Sequence, residues 1–320
     1  RGFGLIRTSY PAPGFHIDGT RGDFMFVIRM KTIMIYLTVL VTVFCAVHFC
    51  LTRPAGFPVH AEAEPEEGAV TLPILMYHAI TEDPKRIGQF VISKKMFEED
   101  LQFLQAEGYH TVTVDEVIDF VKNDGDLPDK PVLLTFDDGY YNNYCYAYPL
   151  LQKYEMKAVI SLIGKYTDLY TDTPDENPGY SHITWDEVNE MIQSGLVEFQ
   201  NHSYDLHSNT KGRNGAKKKW GESKEEYARF LKEDIDLLQN EMREHTGYTP
   251  TTFAYPFGSV SEDSYEILEN MGFQATLSCE EKLNYIKRGD TDCLRMMNRY
   301  LRSNKASAKS ILSKALPSSQ

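Results

Sequence analysis

From residue 70 onward the chain alternates short apolar runs with longer amphipathic ones. The apolar runs are Pro73–Tyr77, Val132–Phe136, Ala158–Ile163, Val197–Gln200, Thr252–Tyr255, Gln274–Leu277 and Leu294–Met297, each of strand length. Between them, helix starts are well marked. Ser93 opens a helix with Met96, Phe97, Leu101 and Leu104 on one face and Gly108 beyond its end. Thr184-Trp-Asp-Glu187 and Ser223-Lys-Glu-Glu226 fit the capping box, in which side chains satisfy backbone N–H groups that the first helical turn leaves unpaired. After Ser223, the stripe Leu231, Ile235, Leu238 and Met242 predicts a helix packed against the core. Strand and helix alternating over 70–305 predict a parallel α/β architecture, and a closed or nearly closed β/α barrel of about seven strands suits that length.

Ahead of this body the pattern changes. Arg29-Met30-Lys31 leads into Ile33–Leu51, nineteen residues without Asp, Glu, Lys or Arg. A basic flank followed by such a run predicts a signal peptide or membrane anchor over 30–61, exporting the body either secreted or attached to the cell-surface membrane. The length favours an anchor, whereas Val59-His60-Ala61 offers a small-x-Ala cleavage pattern. Residues 1–29, which begin with Arg, are expected to be unstructured or a mis-set start. The acidic stretch 62–69 reads as a linker and 306–320 as a tail.

Hydrophobic residues at 42% and charged residues at 25% are globular proportions. The net charge is −13, and because residues 1–60 are basic, residues 61–320 carry about −17. So acidic a body argues against nucleic-acid phosphates as partners. The absence of GxGxxG and GxxxxGK[ST] leaves a nucleotide site without support. Five cysteines without a CxxC pair predict free thiols, and Cys145, in a Tyr-rich helix, reads as a packed thiol. The basic stretch Lys211–Lys219 reads as an exposed loop.

The informative polar residues fall where the predicted strands end. Tyr77-His78, Phe136-Asp-Asp-Gly139, Gln200-Asn-His202 with His207 after it, Tyr255-Pro-Phe-Gly258 and Asn298-Arg299 each follow an apolar run. In β/α barrels the C-terminal strand ends build the active site. Asp-Asp-Gly alone is often only a turn, and an isolated His-x4-His is often chance spacing. Together, two imidazoles and a carboxylate suit an ion such as zinc with an open water position, and a second carboxylate can act as base on that water. His202 and His207, at i and i+5, converge only across a loop or tight turn. His110, His182 and His245 stand alone and read as structural or exposed.

Thr135-Phe-Asp-Asp-Gly139, His202-Ser-Tyr-Asp-Leu-His207 and Ala254-Tyr-Pro-Phe-Gly258, in this order, resemble the motifs of polysaccharide deacetylases with the NodB homology domain (carbohydrate esterase family 4). Leu72-Pro-Ile-Leu-Met-Tyr-His78 and the His-x4-His spacing resemble its poly-N-acetylglucosamine deacetylase branch. The similarity runs from about residue 70 to 302. The resemblance implies a distorted β/α barrel and a divalent metal, usually Zn2+, held by Asp138, His202 and His207. It implies Asp137 as the base that activates water, the Tyr140 N–H as an oxyanion donor and His78 as the acid protonating the departing amine. The substrate it implies is a polysaccharide carrying N-acetyl groups. Other hydrolysis on the same fold (O-acetyl ester or small amide), or an inert glycan-binding barrel, are the alternatives. Two departures stand out: Phe253 occupies the position where many relatives carry the Arg that holds the catalytic Asp, and the usual Asp- and Trp-bearing fourth motif is not evident near Ser278–Leu283. Arg299, with Arg295 as second choice, is expected to supply the missing cation.

Overall fold

The computed structural model describes residues 68–210 and 212–316. Eight parallel strands make one sheet: β1 (Ile74–Tyr77), β2 (His110–Val112), β3 (Pro131–Asp138), β4 (Ala158–Leu162), β5 (Val197–Asn201), β6 (Thr252–Ala254), β7 (Ala275–Leu277) and β8 (Tyr300–Leu301). The order is β7-β6-β5-β4-β3-β1-β8, with β2 beside the first residues of β3. The helices are α1 (Lys94–Ala106), α2 (Val114–Lys122), α3 (Tyr148–Tyr154), α4 (Gly164–Asp172), α5 (Trp185–Gln193), α6 (Lys224–Thr246), α7 (Asp263–Asn270) and α8 (Ala308–Ala315). A parallel bridge between Leu277 and Met297, three residues before β8, brings the two edges of the sheet together, so it curls into a distorted barrel.

Burial follows from this layering. All eight residues of β3 are buried, as expected for a central parallel strand covered on both faces. Its side chains alternate between two cores. Leu134 and Phe136 pack with Phe97 of α1 and Ile160, whereas Leu133 packs with Val159, Leu277 and the α2 residues Val117 and Val121. The capping boxes at Thr184 and Ser223 both form, a third forms at Thr113, and Ser93 caps α1 by accepting from the Met96 N–H at 3.1 Å. On α6, Leu231, Ile235, Leu238 and Met242 are all buried.

The last predicted strand is displaced. Thr291–Leu294 forms a 3-10 turn and Met296 takes a positive φ of 59°, which breaks the extended run. Met297 keeps only the bridge, and the ladder resumes at Tyr300, opposite Leu75. The stretch 306–320, set apart as a tail, contains α8, whose N-terminal Ala308 N–H donates to buried Asp100 and whose Ile311 and Leu312 join the core. In the basic loop, Arg213 is drawn inward by Glu222 and lies 3.6 Å from the Phe230 ring centroid, Lys218 pairs with Asp263, and Trp220 stands fully exposed. The predicted signal or anchor over 30–61 lies outside the described residues; no described helix is long and apolar enough to cross a membrane.

Candidate active site

Strand register places the site. Asp138 pairs with Leu162, Leu162 with Asn201, and Asn201 with Phe253, so the C-terminal ends of β3, β4, β5 and β6 lie at one level. Adjacent side chains on a strand point to opposite faces, yet Asp137 and Asp138 line the same cavity. The backbone explains how. Asp138 and Gly139 both take positive φ, 75° and 68°, which turns the chain at the strand end. Such a conformation is uncommon for any residue but glycine and clusters at functional sites.

His202 and His207 converge by a comparable device. Ser203 has φ 77°; its N–H donates to Asn201 Oδ1 at 2.7 Å, and its hydroxyl accepts from the Leu206 N–H. The N–H groups of Tyr204 and Asp205 donate to the two oxygens of Asp234 on α6, at 2.8 and 2.9 Å. Burial pushes the Asp234 carboxyl up to about 6. The loop is thus pinned from below by a helix, and the i, i+5 spacing becomes a tight turn with the two imidazole centroids 5.2 Å apart.

Asp138, His202 and His207 then offer one ligand atom each, all within 4.8 Å of one another. Asp138 Oδ1 lies 3.6 Å from His202 Nε2 and 3.3 Å from His207 Nε2, and this buried oxygen accepts no hydrogen bond. His202 Nδ1 lies 2.7 Å from the Ala254 carbonyl oxygen, to which it donates, leaving the Nε2 lone pair facing Asp138. Burial holds both imidazoles below their usual basicity and raises the Asp138 carboxyl, which the neighbouring Asp137 charge raises further against the pull of His202 and His78. An orphaned carboxylate oxygen facing two neutral imidazoles is a costly arrangement unless a cation completes it. The set fits a divalent ion of the zinc type.

Asp137 is the other carboxylate, 2% exposed. Arg299, fully buried, grips it with Nη1–Oδ1 at 2.7 Å and Nη2–Oδ2 at 2.9 Å, and its Nε donates to the Ser278 carbonyl. Burial pushes the Asp137 carboxyl up, but Arg299, with His202 and His78, holds it well below the usual carboxylate range. The cation expected from Arg299 or Arg295 is therefore Arg299; Arg295 pairs with Glu269 at the surface. Phe253, at the departing position, is buried edge-on against Tyr255 and Phe273.

Asp137, Asp138, His202 and His207 face a cavity of about 590 Å³, lined also by His78, Tyr140, Phe90 and Phe257. His78 has a buried Nδ1 without a partner, which leaves Nε2 as the nitrogen able to face the cavity, and its carbonyl accepts from Asn143 Nδ2 at 2.7 Å. Tyr140 lies beside Asp138, and burial together with that carboxylate pushes its hydroxyl up. The Phe257 ring sits 4.2 Å from that of His207 and is held by a positive φ of 58°. A larger groove of about 680 Å³, between α1, α8 and the start of β3, contains none of these residues.

All seven candidate residues, His78, Asp137, Asp138, Tyr140, His202, His207 and Arg299, thus meet at one barrel mouth. Sequence reading marked Asn201 only as a polar residue at a strand end and missed Asp234 and Asn143; these three hold the loops, and the one available signal for Asp234 was an Asp flanking the apolar stripe of α6. His182 is buried against the Tyr140 and Tyr166 rings, His245 stacks on Trp185, and His110 is exposed.

Comparison with known proteins gives consistent relatives. Residues 124–276 match the family described as polysaccharide deacetylase. YxkH of Bacillus subtilis, itself assigned only provisionally to the polysaccharide deacetylases, is 32% identical over 216 residues, 67% of this chain and 66% of that protein. Poly-beta-1,6-N-acetyl-D-glucosamine N-deacetylase of Staphylococcus aureus is 28% identical over 199 residues, 62% of this chain and 64% of that protein. The chain thus spans just under two thirds of the length of these curated relatives. The solved structure of a de-N-acetylase from Aggregatibacter actinomycetemcomitans superposes with a TM-score of 0.66 at 26% identity, covering 77% of this chain and all of that one.

Proposed function

Because the chain carries a polysaccharide deacetylase domain of the NodB type, we propose that it is a metal-dependent hydrolase removing N-acetyl groups from a polysaccharide that contains N-acetylglucosamine. The observation that carries this reading is the pairing, in one cavity, of a convergent Asp-His-His set with a second carboxylate locked onto a buried arginine. The named activity of the Staphylococcus aureus relative supports the choice of sugar. The apolar run 33–51 supports an exported protein, secreted or membrane-anchored, that meets such a glycan outside the cell.

The residues divide the chemistry as follows. Asp138, His202 and His207 would hold the cation, and zinc is the ion their donor set suits best. When bound there, the cation supplies Lewis acidity toward water and toward the amide carbonyl. Asp137 takes the proton from the attacking water. Arg299 keeps Asp137 ionised and fixes its plane, while each carboxylate oxygen retains a lone pair for that proton. The backbone N–H of Tyr140 stabilises the oxyanion. His78, which lines the same cavity, donates from Nε2 to the departing nitrogen, which is a poor leaving group without a proton. Hydrolysis then yields acetate and a free amine on the sugar.

The test is acetate release from N-acetylglucosamine oligomers, peptidoglycan and acetylated xylan, with and without chelator. Release from the amide-bearing glycans that stops on chelation and returns with zinc is the expected result. Activity confined to the acetylated xylan, or untouched by thorough metal removal, overturns the proposal.

A further inference from the structure

The catalytic cavity does not end at its own walls. Gln89, Glu281 and Leu301 line it and also line a second compartment of about 460 Å³, which continues between Gly88 and the segment Ser303–Ala306. These three residues form a rim common to both spaces, along which a polymer leaving the cavity can run. Glu281 stands on that rim. Its Oε1 accepts a hydrogen bond from the Leu301 N–H at 3.1 Å, which fixes the carboxylate beside the passage and leaves Oε2 free of that contact. Glu281 makes no ion pair with any described residue, in contrast to Glu280, which pairs with Lys282. Lys305 is the trough's own cation; it lines only the outer compartment, whereas Glu281 lines both.

Resting on the deacetylase reading above, we propose that Glu281 is a specificity-determining residue that favours target sugars whose neighbour has already lost its acetyl group. Each turnover replaces a neutral acetamide with a primary amine, which is an ammonium at and below neutral pH. A polymer shifted by one sugar presents that ammonium to the rim while a fresh acetamide enters the cavity. Glu281 attracts the ammonium by an exposed, salt-sensitive ion pair, and the −13 net charge of the chain adds in the same sense. A neutral N-acetylglucosamine at the same place gains nothing from the carboxylate. Deacetylation then spreads along the chain in runs instead of at scattered positions.

The experiment compares kcat/KM for two N-acetylglucosamine pentamers, one fully acetylated and one carrying a single glucosamine next to a target sugar. With the zinc-loaded protein at low salt, the second pentamer is expected to be preferred by about three- to fivefold, the upper part of the range for one exposed ion pair. The preference shrinks toward unity at high salt and in Glu281→Gln, and persists in Glu280→Gln. Equal efficiency on both pentamers, or a preference that Glu281→Gln leaves intact, overturns this inference while the deacetylase reading stands. No acetate from either pentamer refutes both.

Discussion

The Arg299–Asp137 pair allows the sharpest test of how this site is built. Arg299→Met removes the guanidinium and keeps an unbranched apolar side chain in its place. Both partners are buried, at 0% and 2% exposure, and the geometry is bidentate. Removing one member of a buried pair leaves an uncompensated charge and costs about 3–5 kcal/mol. For a domain of this size that lowers Tm by about 10 °C. The pH dependence has a definite sign. In the parent protein the folded-state Asp137 carboxyl is depressed, so its stabilisation is present above the unfolded value near ~3.9 and is lost only as pH falls below it. Without Arg299, burial dominates and the folded-state carboxyl rises above that unfolded value. The stability deficit of the variant is then greatest near neutral pH and shrinks as the solution is acidified toward the unfolded value. The acid limb of kcat/KM moves to higher pH by more than one unit, because the base is useful only when ionised. Chemical denaturation at several pH values together with a pH–rate profile measures both. Adding Asp137→Asn to Arg299→Met should recover about 2 kcal/mol, since the pair is then lost without leaving a charge. A deficit below about 1 kcal/mol, unchanged with pH and joined to an unmoved acid limb, refutes the assignment of Arg299 as the clamp on Asp137.

Other expectations follow from the same geometry. Asp138→Ala loses bound zinc, whereas Asp137→Asn keeps it and loses turnover by about 10²–10⁴-fold; metal analysis beside acetate release separates the two, and equal metal loss in both overturns the division of roles. Phe257→Gly relieves a left-handed φ of 58° and should leave stability within about 1 kcal/mol, while KM for oligomers rises because an aromatic wall of the cavity is gone. A large stability loss with unchanged KM contradicts this. Burial, then the Asp115 charge, pushes Glu198 up to about 7. Protonation therefore favours the fold, and stability declines as pH rises from the ordinary Glu range toward 7, by an order of 1–2 kcal/mol. Glu198→Gln should flatten that decline in a pH series of thermal melts, and an unaltered slope would count against the assignment.

What the sequence settled by itself was local. Ser93, Thr184 and Ser223 announce their helices because a capping side chain meets N–H groups only two or three residues away. The apolar runs of β3 and β4 are legible because a parallel strand covered on both faces has no polar side to disguise it. The motif residues could be named because each ends such a run. The seventh strand was misplaced because Leu294–Met297 is apolar for another reason: it fills the gap between the two edges of the sheet.

Only the tertiary structure decided which residues act together. Arg299 reaches Asp137 across 162 positions because β8 returns to lie beside β1, and no local spacing encodes a partner that distant. Asp234 and Asn201 bend the His202–His207 loop through hydrogen bonds whose acceptors belong to a helix and a strand end. The two adjacent aspartates enter one cavity because the backbone turns left-handed at Asp138, against the ordinary preference of that residue. Chain chemistry supplies the carboxylates and imidazoles, but their convergence is a property of strand register, and register is fixed by the packing of the whole barrel.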